Sequence, residues 1–158
     1  MNLKVKDLIG DYRPATPQEI LAAARTVINQ RYRRGKLVNA PSSVEDYFFQ
    51  KLSLKEREVF AALFLDQKNR IIAYEELFFG TINSASVHPR IVVQKALEYN
   101  AAAVIVAHNH PSGLAEPSDA DKWVTRRLID ALNLVDVRLL DHFVVGKKCA
   151  SLAAMGLM

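Results

Sequence analysis

The spacing of apolar residues changes character along the chain. After Thr16-Pro17-Gln18-Glu19, the positions Ile20, Leu21, Ala24, Val27 and Ile28 recur at helical spacing. A threonine cap, a proline at the first helical position and a glutamate three after the cap mark where that helix starts, and Gly35 marks its stop. A second short helix is expected from Ser43 through Leu52. Beyond Leu54 the pattern is β-rich. Strands are expected near Val59–Asp66 and Ile71–Phe78 around a turn at Gln67-Lys68-Asn69, then a helix over 89–99 and a strand over 103–108. A helix over 119–132 and strands near 135–140 and 142–148 complete the reading. Such alternation predicts an α/β layer structure with a mixed sheet, preceded by a short helical N-terminal extension. We place the boundary between residues 1–53 and 54–158 and find no internal repeat.

The richest chemistry stands at the end of one predicted strand. The run Ala101–Ala107 is apolar and β-branched at its centre, and it leads into His108-Asn109-His110-Pro111. Residues two apart on a strand project to one face, roughly 6.5–7 Å apart, so both imidazoles can converge on one ion. Further on, Ser118 has the character of a helix N-cap, which turns Asp121 at the third helical position back toward the same point. Two histidines and a carboxylate are the donor set of a catalytic zinc site, in which the fourth position stays open for water. Taken singly, each residue has a plainer reading: His110 as a loop histidine before proline, Ser118 with Asp121 as a capping box. Ligand type alone leaves iron and manganese open beside zinc. Neither H-E-x-x-H nor the P-C-x-x-C of nucleobase deaminases is present.

His108-Asn109-His110-Pro111-Ser112-Gly113, followed by Pro117-Ser118 and Asp121, resembles the JAMM metalloprotease motif in the form found in RadC-type proteins of the JAMM/MPN-domain family. Glu58-Val59-Phe60, Leu65-Asp66, Gly80-Thr81-Ile82-Asn83, Val87-His88-Pro89-Arg90 and Asp141-His142-Phe143 resemble further landmarks of that family, so the likeness runs from about Leu54 to Gly146. It implies a cytidine-deaminase-like mixed sheet flanked by helices. It also implies that His108, His110 and Asp121 are zinc ligands, that Ser118 supports the bound water and transition state, and that Glu58 is the general acid/base. The implied activity is metal-assisted hydrolysis of a peptide or isopeptide amide in a peptide or protein substrate. Eukaryotic JAMM isopeptidases usually carry Ser or Thr where Asn109 stands, which separates this chain from deubiquitinases. Longer RadC-type proteins resemble helix-hairpin-helix DNA-binding modules at their N-terminus; residues 1–53 have no such Gly-rich hairpin, so a short form is expected.

Read from its own neighbours, Glu58 opens the strand candidate through Leu65, where a sheet can bring it beside the histidines. Since Lys55-Glu56-Arg57 precede it, a solvated helix end is the other reading. Glu75 and Glu76 are the rival carboxylates, and a strand face turned to solvent accounts for both. His88 is read as a capping or packing residue, Asp141-His142 as a hydrogen-bonded pair near the sheet edge, and Trp123 with Leu128 and Leu132 as a packing face.

Composition bounds the class more than the chemistry. At 158 residues, 50% hydrophobic and 24% charged, a packed core is expected and disorder is not. One cysteine, Cys149, makes no intrachain disulfide, and the opening Met1–Asp7 has no apolar signal core, so a soluble cytoplasmic protein with no membrane role is expected. The net charge of +4 and the cluster Arg31, Arg33, Arg34 and Lys36 suit weak phosphate contacts, which makes a DNA-associated accessory module the alternative from another class. A cationic helix end needs no ligand to account for the same cluster. A zinc-binding interaction module without turnover is the third reading.

Overall fold

A computed structural model describes residues 3–6, 10–31, 35, 37–38, 40–81 and 86–158. Its contacts divide the chain into two compact units, Met1–Arg33 and Arg34–Met158. In the first, β1 (Lys4–Lys6) pairs antiparallel with β2 (Tyr12–Pro14), and α1 (Pro17–Arg31) follows. The hydrophobic pattern does not predict this hairpin, because its strands bury no face. The α1 start is as expected: Thr16 N–H donates to Glu19 Oε2 at 2.9 Å and Glu19 N–H to Thr16 Oγ1 at 3.2 Å. Arg33, Arg34 and Lys36 of the cationic cluster lie outside the described residues, as do Ile82 and Asn83.

The second unit is built on a five-stranded mixed sheet. Its elements are α2 (Pro41–Leu52), β3 (Val59–Leu65), β4 (Ile71–Phe79), α3 (Pro89–Glu98), β5 (Ala103–Asn109), α4 (Asp119–Asn133), β6 (Arg138–Val145) and β7 (Cys149–Ser151). The strand order is β4-β3-β5-β6-β7, with β5 and β6 parallel and every other pair antiparallel. The parallel pair needs a crossover, and α4 supplies it. Strands β3 and β5 are buried along their whole length, which is why they read as continuous apolar runs rather than alternating ones.

Pleating sorts those runs onto two faces. Phe60, Ala62, Phe64, Val104 and Val106 join Val92 and Ala96 of α3 and Val124, Leu128 and Leu132 of α4 in one core. On the opposite face Phe48 of α2 packs on Phe143, ring centroids 6.0 Å apart. The packing stripe of α4 is Val124, Leu128 and Leu132, four residues apart; Trp123 falls off it, stays 47% exposed and carries Arg127 over its ring at 4.6 Å.

The expected pair of strands near 135–140 and 142–148 is instead one strand, β6, with the short β7 after it. Asp141 and His142 suggest a break, yet both are buried inside β6 because each finds polar partners: Asp141 accepts from Ser151 Oγ at 2.6 Å, and His142 lies between two side-chain partners. Nor is the pair at the sheet edge, since β7 lies outside β6. Among the described residues no helix is long and apolar enough to cross a membrane.

Candidate metal centre

Strand β5 ends at Asn109, leaving His108 in the sheet and His110 one residue beyond it. The register sets His108 opposite Phe60 on β3 and Val144 on β6. Phe60 stacks on the His108 ring, 12° from parallel at 6.2 Å. His110 is held by its backbone N–H to Val145 O at 2.8 Å and by Nδ1 against Leu114 O at 2.8 Å. The loop after it lies so close to Gly146 that a Cβ there would collide with the Gly113 carbonyl and the Ala115 amide.

Asp121 arrives from the other side, at the start of α4. Ser118 is the N-cap, and a complete capping box is present: Asp121 N–H donates to Ser118 Oγ at 3.1 Å while Ser118 N–H donates to Asp121 Oδ2 at 2.7 Å. The Ser118 hydroxyl also donates to Asp121 Oδ2 at 2.7 Å. The capping box therefore coexists with the placement of Asp121 in the cluster. The cap anchors Oδ2, and Oδ1 is turned to His108 Nε2 at 3.1 Å. Burial pushes the Asp121 carboxyl up, but the His108 contact and the Ser118 hydrogen bonds outweigh it and hold the group well below the usual carboxylate range.

His108, His110 and Asp121 thus each bring a donor atom within 4.8 Å of the others. The closest approaches are 3.0 Å between the two Nε2 atoms, 3.1 Å from His108 Nε2 to Asp121 Oδ1 and 3.6 Å from His110 Nε2 to Asp121 Oδ2. Donors about 2.0–2.1 Å from a tetrahedral ion stand roughly 3.3 Å apart, so these separations bracket the edge of such a site. The donor chemistry fits as well. Leu114 O is an acceptor only, so neutral His110 carries its proton on Nδ1 and turns the Nε2 lone pair toward His108 and Asp121. A carboxylate and imidazole lone pairs repel one another unless a proton or a cation stands among them. The set can hold a divalent ion. His108 and Asp121 are almost fully buried, while the His110 side chain is 18% exposed and forms the open side.

Glu58 precedes β3, two residues before Phe60, and the antiparallel register carried two residues on sets it across from His110. It lines a cavity of about 430 Å³ together with Arg57, Gly80, Thr81, Pro111 and Ser112. Its backbone is clamped from both sides. Gly80 N–H donates to Glu58 O at 3.0 Å, and the Asn109 carboxamide binds Lys55 O, Arg57 O and Val59 N–H. The rival carboxylates are engaged elsewhere: Glu75 with the Tyr99 hydroxyl and Lys95, Glu76 with Lys55 at 2.9 Å. His88 stands at the N-cap of α3 without a side-chain cap bond and meets Phe78 edge-on.

Three residues of this neighbourhood were not singled out for the site from sequence. Asn109 is 2% exposed and holds the segment carrying Glu58. His142, fully buried, places Nε2 2.9 Å from His108 Nδ1, and its Nδ1 lies 2.7 Å from Thr125 Oγ1. Burial, and next the electrostatic influence of neighbouring His108, hold His142 well below the usual histidine range. The signal for Asn109 and His142 was a polar residue adjoining an apolar run of its strand; Thr125 gave none beyond lying four residues after Asp121.

Residues 38–157 match the family described as the RadC-like JAB domain. Among curated relatives, a UPF0758 protein of Cellvibrio japonicus is 58% identical over 140 residues, covering 88% of this chain and 62% of the relative. One from Xanthomonas campestris is 56% identical over 141 residues, with 86% and 63% covered, and one from Halorhodospira halophila is 52% identical over 151 residues, with 95% and 67% covered. The chain spans about three fifths of the length of the first two. With a mixed sheet flanked by helices, a His-His-Asp cluster at the end of its central strand and a family match over most of its length, this chain belongs to the RadC-like JAB domain family.

Proposed function

We propose that the chain is a zinc-dependent metallopeptidase that hydrolyses a peptide or isopeptide amide. The observation that carries the reading is the convergence of His108 Nε2, His110 Nε2 and an Asp121 carboxylate oxygen beside a cavity lined by Glu58. These three residues would hold the ion. When bound, zinc supplies a water whose pKa falls toward about 7 and a Lewis acid for the scissile carbonyl. Glu58 takes a proton from the attacking water at its carboxylate and hands it to the departing amine, which requires hydrogen-bond reach of both. Ser118 gives up its bond to Asp121 Oδ2 and donates to the developing oxyanion of the substrate, a contact whose loss typically costs about 2.7–4 kcal/mol of barrier. Phe60 and the buried strands exclude bulk water from the inner side, so substrate approaches by way of His110 and the cavity.

The test is turnover of linear peptides and of lysine-linked isopeptides by zinc-loaded protein and by Glu58→Gln. The expected result is cleavage that chelation abolishes, with E58Q retaining zinc and losing at least about 100-fold in kcat. An E58Q protein as active as wild type overturns the role of Glu58. A zinc-loaded wild type that cleaves neither class overturns the hydrolase and leaves an interaction module.

A further inference from the structure

The hydrogen bonds behind His108 form a closed circuit. His108 Nδ1 meets His142 Nε2 at 2.9 Å, His142 Nδ1 meets Thr125 Oγ1 at 2.7 Å, and the Thr125 hydroxyl reaches the backbone carbonyl of Asp121 at 2.7 Å. The path thus leaves one residue of the His-His-Asp cluster and returns to another. All of its side chains are buried, so each proton must find a partner inside the circuit.

We infer that Thr125 and His142 are positioning residues that fix the His108 proton on Nδ1 and so present the Nε2 lone pair to the ion. The inference rests on the metal site proposed above. A neutral imidazole has one N–H and one lone pair, so a ligand at Nε2 requires the proton on Nδ1. His142 Nε2 must then accept, which puts the His142 proton on its own Nδ1. Thr125 Oγ1 must accept that proton and send its own hydrogen to Asp121 O. Every donor has an acceptor and none is left over.

The opposite orientation holds the same number of protons but takes the Thr125 hydroxyl hydrogen away from Asp121 O. Thr125 donates to His142 Nδ1, His142 Nε2–H donates to His108 Nδ1, and His108 Nε2–H points at Asp121 Oδ1, 3.1 Å away. That state blocks the donor atom. Loading the site therefore reverses the circuit with no proton entering or leaving it, and the Asp121 carbonyl acts as the sink that makes the loaded orientation possible. Partners of this kind behind a ligating histidine typically contribute 10–100-fold to metal affinity.

The experiment measures zinc dissociation constants by chelator competition for wild type, Thr125→Val, Thr125→Ser, His142→Leu and His142→Gln. It adds imidazole nitrogen shifts of the wild type with and without zinc. T125V keeps the shape and deletes the hydroxyl, so zinc binding is expected to weaken about 10-fold, with T125S restoring it. H142L is expected to weaken binding 10–100-fold. H142Q, whose amide offers an acceptor and a donor in place of the two ring nitrogens, should stay within a few-fold of wild type. In zinc-loaded wild type the protonated nitrogens should be Nδ1 of both His108 and His142. Folded T125V and H142L proteins that hold zinc as tightly as wild type overturn the inference, and so does a loaded wild type with an unprotonated His142 Nδ1, whether or not the variants fold. A wild type that takes up no zinc overturns the metal site itself, which separates the two failures.

Discussion

Asn109 and Val59 lie fifty residues apart in the chain, and Asn109 Oδ1 accepts the Val59 N–H at 2.8 Å. The same carboxamide donates through Nδ2 to Lys55 O at 3.2 Å and Arg57 O at 3.1 Å, so one buried side chain grips the backbone on both sides of Glu58. It also stands between the two histidines, which ties the strand end to the segment bearing the carboxylate.

Asn109→Asp keeps the acceptor for Val59 and replaces the two N–H donors with an oxygen facing two carbonyls. Leaving those carbonyls unpaired and burying a charge is expected to cost about 1–3 kcal/mol or more in urea denaturation. Turnover by zinc-loaded N109D should fall further than its zinc affinity does, because the ligands stay in place while Glu58 is released. Equal losses in both would argue that Asn109 braces the histidines rather than Glu58.

How much of this was legible in the chain depends on how local the cause is. His108, His110, Ser118 and Asp121 declare themselves because strand pleat and helix cap are short-range rules, and the capping box did form. The buried strands β3 and β5 were legible for the same reason. Asn109, His142 and Thr125 serve partners 50, 34 and 17 positions away, and no local periodicity encodes such pairs. The hairpin of β1 and β2 was hidden by its exposure, and β6 was divided in two because polar Asp141 and His142 look like a break until their partners are known.

Gly146 follows β6, 36 positions after His110, yet it governs the loop that holds that histidine. Lys147 N–H donates to Gly113 O at 2.8 Å, and the loop presses against the bare Gly146 α-carbon. Gly146→Ala must therefore push the Gly113–Ala115 backbone away, and with it the Leu114 carbonyl that orients His110. An overpacking loss of about 1–3 kcal/mol is expected in thermal or urea melts, together with weaker zinc binding by chelator competition. A G146A protein with unchanged stability and affinity would show that the loop can move without carrying His110.

The N-terminal unit has its own pH signature. The Arg13 guanidinium, then the backbone and hydroxyl of Thr16, hold the Glu19 carboxyl down to about 2. The unfolded chain titrates near 4.3. The folded state thus binds fewer protons, so the stabilisation is complete above the unfolded value and disappears as the pH falls toward about 2. Following the Glu19 carboxyl by NMR with α1 helicity should place both changes in that window, and Glu19→Gln should remove the pH dependence. A Glu19 midpoint near 4.3 would mean that the pair with Arg13 does not form in solution.

Ser118 caps α4 and bonds the Asp121 carboxylate through one oxygen, so its cap and the catalytic role proposed above separate experimentally. Ser118→Ala removes the acceptor for Asp121 N–H and the donor to Asp121 Oδ2, while the Ser118 backbone bond to Oδ2 survives. Losing an N-cap of this kind costs about 0.5–2 kcal/mol, and the loss should appear in metal-free protein, where no reaction is involved. If the hydroxyl also serves the transition state, kcat of S118A falls by about two to three orders of magnitude, far beyond what the melt accounts for. Ser118→Thr should recover the stability more fully than the rate, since it restores the oxygen of the cap but adds a methyl group beside the hydroxyl that has to turn to the oxyanion. A drop in activity no larger than the loss of folded protein would confine Ser118 to the helix cap.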